Sequence, residues 1–252
     1  ARSLPAGRSC ARSWTRRDRE EQVIGLTPFQ VVRVAHLLPG AWITSRRASM
    51  EAWEENYRRL QNYSRKAIRA LGFELVSEGT QHLPKQGPIL FVSNHQGTLD
   101  PAPLVASCPL PFGFISKKEN ETIPLLGRWA QLIGTIHFDR ETREGNVHML
   151  RESARRLKQG KNLLIFPEGT RSKGDEMNTF KMGALQPAYM GKAAIVPVTL
   201  QHCYALDEKK SHVRTLKVIY GKAIPYEEYR TIPQEELLER LHDEIQHNVY
   251  AG

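Results

Sequence analysis

Two stretches of this chain combine residues that do proton chemistry. Residues 94–100 read NHQGTLD, with His95 and Asp100 five positions apart around Gly97. Residues 202–207 read HCYALD, the same bare spacing without a glycine. An imidazole that donates one ring N–H to a carboxylate is held in the tautomer whose other nitrogen is free to take a proton. If the turn folds Asp100 back onto His95, His95 is a general base, and Asp100 orients it and stabilises the imidazolium. Ser93 is read as turned away from His95, so no nucleophile accompanies the pair. The arrangement suits direct deprotonation of a substrate hydroxyl, without a covalent acyl-enzyme. The same residues also fit a structural role, with Asp100 capping the helix that Pro101 opens and His95 merely packing. The second copy runs into DEKKSH, a solvated charged stretch, and is read as a chance repeat.

A second signal follows the apolar run at 162–167. NLLIFPEGTRS places Glu168, Gly169, Thr170 and Arg171 just past a strand end. An arginine and small hydroxyl residues on a glycine-containing loop suit a cluster of anionic oxygens such as a phosphate.

Both motifs need a scaffold that delivers strand ends to one place. Short apolar runs at 73–76, 88–94, 112–116, 135–139, 162–167, 194–200 and 216–224 read as strands. Helical periodicity fills 100–107, 121–133, 145–159, 183–191 and 234–249. Alternation of this kind predicts an α/β domain over 73–252, with one mostly parallel or mixed sheet flanked by helices. In such a fold, sites gather at turns that leave the C-terminal ends of strands, and Gly97 is read as the residue that lets this turn be tight.

Ahead of the domain, 23–72 reads as a two-helix amphipathic element, with Phe29, Val32, Leu37 and Trp42 towards lipid and Arg33 at the head groups. No stretch approaches the ~20 apolar residues of a transmembrane helix. Residues 1–22, rich in Arg and Ser, read as a basic flexible tail rather than a transit segment. With 36 Lys and Arg against 27 Asp and Glu in 252 residues, the net charge of +9 favours anionic partners. Aromatic–basic interleaving and helix-turn-helix spacing are absent, which argues against nucleic acid. Three scattered cysteines, Cys10, Cys108 and Cys203, build neither a disulfide framework nor a zinc knuckle. None sits in a motif that would mark a hydrolase nucleophile.

Taken in order, the blocks resemble those of the glycerolipid acyltransferases, most of all the bacterial 1-acylglycerol-3-phosphate acyltransferases. NHQGTLD is similar to the first block, GTIHFDR (134–140) to the second, FPEGTRS (166–172) to the third and IVPV (195–198) to the fourth. SKKENETIPLLG (116–127) and FKMGA (180–184) resemble the stretches between. The likeness covers roughly 73–225. It implies that His95 takes the proton of a glycerol hydroxyl and that Asp100 orients it. Lys117, an amide near Gly97, or both would face the oxyanion. Arg140 and Arg171 would hold the glycerol phosphate, Glu168, Gly169 and Thr170 would shape the acceptor pocket, and Lys181 would assist. The implied reaction moves a fatty acyl group from acyl-CoA or acyl carrier protein to the sn-2 hydroxyl of lysophosphatidate, giving phosphatidic acid. It needs no bound cofactor or metal. Glycerol 3-phosphate or another lysophospholipid is the alternative acceptor, and a non-catalytic lipid-binding protein on the same fold is the different-class alternative. The implied place is the cytoplasmic face of the cell membrane, attached peripherally or monotopically to anionic phospholipids. His137 stands where the family more often has an apolar residue, and is read as a satisfied strand residue.

Overall fold

The computed structural model describes residues 28–85, 87–208 and 211–251. The expected tail at 1–22 and the first residues of the 23–72 element lie outside them. The seven strands among the described residues are β1 (Glu74–Glu78), β2 (Ile89–Ser93), β3 (Phe112–Lys117), β4 (Ile136–Phe138), β5 (Asn162–Ile165), β6 (Ala194–Gln201) and β7 (Thr215–Tyr220). They form one sheet in the order β1-β7-β6-β2-β5-β3-β4. Every neighbouring pair is parallel except β6 with β7. The α/β reading of the sequence is therefore the observed architecture, and each predicted strand is present.

The central strand β2 is the run ILFVS, buried at all five positions, as expected where helices cover both faces of a parallel sheet. Its alternate side chains serve two cores. Phe91 packs with Phe112 and Tyr220 on one face, and Leu90 and Val92 join the cluster of Leu157, Leu163, Leu185 and Leu241 on the other. Phe91 is 0% exposed, so its truncation to alanine is expected to cost about 3–5 kcal/mol. Pro197 sits in β6 without breaking the sheet, because the antiparallel ladder with β7 stops at Val198 and Tyr220, where a missing N–H is tolerated.

Among the described residues, the N-terminal region holds three helices where two were expected over 23–72: α1 (Pro28–Ala35), α2 (Leu38–Arg47) and α3 (Trp53–Leu71). Pro39 belongs to the first turn of α2, where its missing N–H costs nothing. α3 ends at Gly72 in the left-handed conformation, as its place after the last periodic residue predicts. Tyr57 and Ile68 of α3 are buried in the same cluster as Phe91 and Phe112, so this helix is a layer of the core. The exposed Arg33, expected at lipid head groups, donates to the Leu71 carbonyl at 3.1 Å and caps α3. The predicted helix 121–133 is shorter, α5 (Leu126–Leu132), after a 3-10 turn over Lys118–Thr122. Pro124 and a left-handed Leu125 separate the two. The remaining helices are α4 (Pro101–Ser107), α6 (Arg143–Lys158), α7 (Gln186–Gly191), α8 (Tyr226–Tyr229) and α9 (Gln234–Tyr250).

Candidate active site

Strands β2, β3, β4, β5 and β6 run the same way. Their C-terminal ends therefore deliver the turn at 94–100, Lys117, Arg140, the loop at 166–172 and the HCYALD segment to one edge of the sheet. At its middle, His95 Nδ1 lies 2.7 Å from Asp100 Oδ2. The same oxygen accepts the amides of Gln96 at 2.7 Å and Gly97 at 2.9 Å. A carboxylate only accepts, so His95 donates from Nδ1 and carries its lone pair on Nε2. The ring stacks on Phe166, with centroids 4.1 Å apart, and keeps 21% of its side-chain surface exposed. Asp100 is 0% exposed.

This geometry replaces the helix-cap reading. Asp100 precedes α4, but its side chain makes no cap bond and reaches back over the turn instead. Ser93 supplies no nucleophile. Strict alternation would set residues 93 and 95 on one face, but β2 ends at Ser93, whose buried hydroxyl donates to the Asn94 carbonyl at 3.1 Å.

The turn is gripped from two sides. Glu168 Oε1 accepts the His95 N–H at 2.7 Å, and its Oε2 accepts both the backbone and side-chain N–H groups of Asn178 at 2.8 Å. Ser172 and Lys173 donate their amides to the carbonyls of His95 and Gln96, at 2.8 and 3.1 Å. Glu168 is 2% exposed, and burial raises its pKa against the pull of those donors. It therefore faces inward as a strut under His95. On the other side Gln96 Oε1 accepts from the Cys203 amide at 2.8 Å, and Asp207 Oδ2 accepts the Thr98 N–H at 2.5 Å. HCYALD is thus no bystander, although it makes no dyad of its own. His202 is left-handed, and its Nδ1 is buried without a partner among the described residues.

Gly97 owes its place to this packing. Its φ is not positive, but a Cβ there would stand 2.9 Å from Asp207 Oδ2. Its N–H, expected as an oxyanion donor, is already given to Asp100.

Cations gather beside the dyad. Lys117 ends β3, and burial, with the nearby charge of Arg140 and a smaller effect of Arg171, lowers its pKa. Arg140 donates to the Gly169 carbonyl at 2.6 Å, its guanidinium lies 5.7 Å from the Phe138 ring centre, and burial lowers its pKa. Arg171 donates to Thr98 Oγ1. Gly169 has φ 69°, and a Cβ on it would come within 2.6 Å of Lys181 Nζ, so the exposed Lys181 lies along the same loop. Thr170 is exposed at the loop's outer edge. His137, expected to be satisfied, has Nε2 buried without a partner among the described residues, and burial lowers its pKa. The positioning residues that the sequence did not reveal are Gln96, Asn178 and Asp207. Only Asp207 carried a signal there, its spacing from His202.

The sequence model of the family described as Acyltransferase matches residues 74–201, the stretch that carries the dyad, Lys117, Arg140 and the 166–172 loop. The chain belongs to the Acyltransferase family. Among acyltransferase relatives, it is 32% identical over 203 residues to a 1-acyl-sn-glycerol-3-phosphate acyltransferase of Helicobacter pylori, covering 74% of this chain and 86% of that one. It is 36% identical over 129 residues to a chloroplastic 1-acyl-sn-glycerol-3-phosphate acyltransferase of Arabidopsis thaliana, covering 51% of this chain and 36% of that one. The chain spans roughly a third to a half of the length of the first relatives it matches. The crystal structure of the 1-acyl-sn-glycerophosphate acyltransferase from Thermotoga maritima has the same fold, with a TM-score of 0.73, 21% identity, and coverage of 93% of this chain and 97% of that one.

Proposed function

We propose that this acyltransferase-family protein transfers a fatty acyl group from an acyl thioester to the sn-2 hydroxyl of 1-acylglycerol 3-phosphate, making phosphatidic acid. The observation that carries this reading is the meeting, at one sheet edge, of the His95–Asp100 pair with the cations Lys117, Arg140 and Arg171. His95 Nε2 takes the proton of the acceptor hydroxyl as its oxygen attacks the thioester carbonyl. The tetrahedral intermediate then expels the thiolate, which takes the proton back from His95, so no proton is lost or gained. Asp100 holds the ring and favours the imidazolium. Of the two expected oxyanion donors Lys117 remains, because the Gly97 amide is occupied. Arg140 and Arg171 bind the acceptor phosphate by charge-assisted hydrogen bonds, and Lys181 adds charge at the rim. The donor is acyl-CoA or acyl carrier protein. Neither a bound cofactor nor a metal takes part in this scheme.

The substrate sits in a bilayer, and the outer face of α1 and α2 suits contact with one. Val32, Trp42 and Ile43 are 72%, 48% and 49% exposed, and Arg46 lies over the Trp42 ring and beside Arg47. No helix among the described residues is long and apolar enough to cross a membrane. In this reading the exposed face of α1 and α2 makes the attachment, peripherally or monotopically and on the cytoplasmic face. Substituting Val32 and Trp42 with glutamate is expected to release the protein from anionic liposomes in a flotation assay. Unchanged flotation would reject this docking face.

The deciding experiment is transfer from a radiolabelled acyl thioester to lysophosphatidate in mixed micelles, with His95→Ala as the comparison. Loss of at least about 10³-fold in rate in a folded variant supports the base assignment. An active His95→Ala protein would reject it, and wild-type protein that acylates only glycerol 3-phosphate or another lysolipid would move the acceptor.

A further inference from the structure

The scheme above leaves one built feature unused: a half-buried carboxylate, from outside the region matched by the family, in direct contact with the catalytic turn. Asp207 follows the 3-10 turn Cys203–Leu206. Its Oδ2 accepts the Thr98 N–H at 2.5 Å, and the Thr98 hydroxyl bonds to the same carboxylate. That hydroxyl in turn accepts from Arg171 Nη1. The three groups form a chain from guanidinium to hydroxyl to carboxylate, and Arg171 and Asp207 also attract each other directly. The segment is anchored at both ends, by Gln96 to Cys203 and by Gln30 Nε2 donating to the Leu206 carbonyl at 3.0 Å. Gly97 leaves room for the carboxylate: a Cβ would stand 2.9 Å from Asp207 Oδ2 and 3.5 Å from Asp100 Oδ1.

We infer that Asp207 is a positioning residue for acceptor capture, fixing the Arg171 guanidinium through Thr98 while Asp100 serves the chemical step. The inference rests on the reading of Arg171 as a ligand of the acceptor phosphate. Two carboxylates that meet the 95–100 turn, the buried Asp100 within it and the half-buried Asp207 from outside it, then divide the work. Asp100 binds His95 and shapes the step in which bonds change. Asp207 binds the outer arm of the turn and sets the direction from which the phosphate is held. A long side chain held in one rotamer before the substrate arrives loses less freedom on binding.

The prediction separates the two roles in steady-state kinetics. Asp207→Ala is expected to raise the acceptor KM about tenfold, the size of losing one charge-assisted contact. Its kcat stays within about threefold and its donor KM is unchanged. Asp207→Asn keeps an acceptor for the Thr98 N–H and returns the acceptor KM to within about threefold of wild type. Thr98→Val keeps the backbone N–H and removes the hydroxyl, so it reproduces the Asp207→Ala shift even if that variant does not fold. In an Arg171→Ala background, Asp207→Ala adds nothing further to the acceptor KM, because the two act through one contact. A fall in kcat with unchanged KM, an Asn variant as poor as the Ala variant, or additive effects in the double variant would each overturn the inference. If wild type uses a different phosphorylated acceptor, the lysophosphatidate assignment fails, and the same comparison is read on the acceptor that turns over. If it uses only acceptors without a phosphate, the inference falls with the role of Arg171.

Discussion

Two segments of this chain carry His-x4-Asp, and they differ in everything but the spacing. At 95–100 the turn leaves the C-terminal end of a central strand, and three donors converge on one Asp100 oxygen. At 202–207 the turn leaves β6 through a left-handed histidine into a 3-10 turn, which carries Asp207 to Thr98 and leaves His202 Nδ1 without a partner among the described residues. The spacing places two side chains within reach of each other. Whether they meet depends on which backbone amides are free to collect the carboxylate. In the first copy the amides of Gln96 and Gly97 do so. The second copy contributes its carboxylate to the first.

The largest test of this contrast is Asp100→Asn. It is expected to cut kcat by about 10²-fold or more, because an amide can hold His95 in the wrong tautomer. Loss confined to KM would mean that the two aspartates do not divide the work. Next is stability. Glu168→Gln sets an NH2 group against one of three N–H donors, so we expect about 2 kcal/mol of destabilisation and a thermal midpoint lower by roughly 4–8 °C. An unchanged midpoint would show that the strut under His95 contributes nothing. A smaller effect concerns pH. Burial and Arg140 lower the Lys117 pKa, so on raising the pH its charge is lost before that of an ordinary lysine. Because Lys117 faces the oxyanion, kcat should fall along an alkaline limb that begins below the usual lysine range, and Lys117→Arg should flatten that limb. A limb unaffected by the substitution would assign it to another group. The smallest effect belongs to the second copy. His202→Gly suits the positive φ and is expected to change kcat by less than about twofold. A large loss would restore HCYALD as a second proton-transfer site.

Much of this arrangement was legible in the residues themselves, and the reason is locality. A β run ending in His-x4-Asp before Pro fixes a strand, a turn and a helix within a dozen residues, and the order of such units determines a parallel sheet with its loops on one edge. His95, Asp100 and Arg171 are read this way, whereas Arg140 enters only through the resemblance of GTIHFDR to the second block of the family. What remained hidden depends on long-range contact. Glu168 reaches His95 across 73 positions and Asp207 reaches Thr98 across 109. Nothing in the composition of either segment distinguishes a carboxylate turned inward from one in water. For the same reason Gly97 was read as a turn residue, when its role is to admit Asp207.

Sequence alone thus determined the kind of fold and the sheet edge where His95 and Asp100 lie, because each is encoded by short units of strand, turn and helix along the chain. Only the tertiary structure decided that Asp100 reaches back to His95 rather than capping, that Glu168 turns inward under His95, and that the second His-x4-Asp contacts the first. Those roles are set by which buried donor each carboxylate meets. A buried charge must find its donors wherever the folded chain brings them.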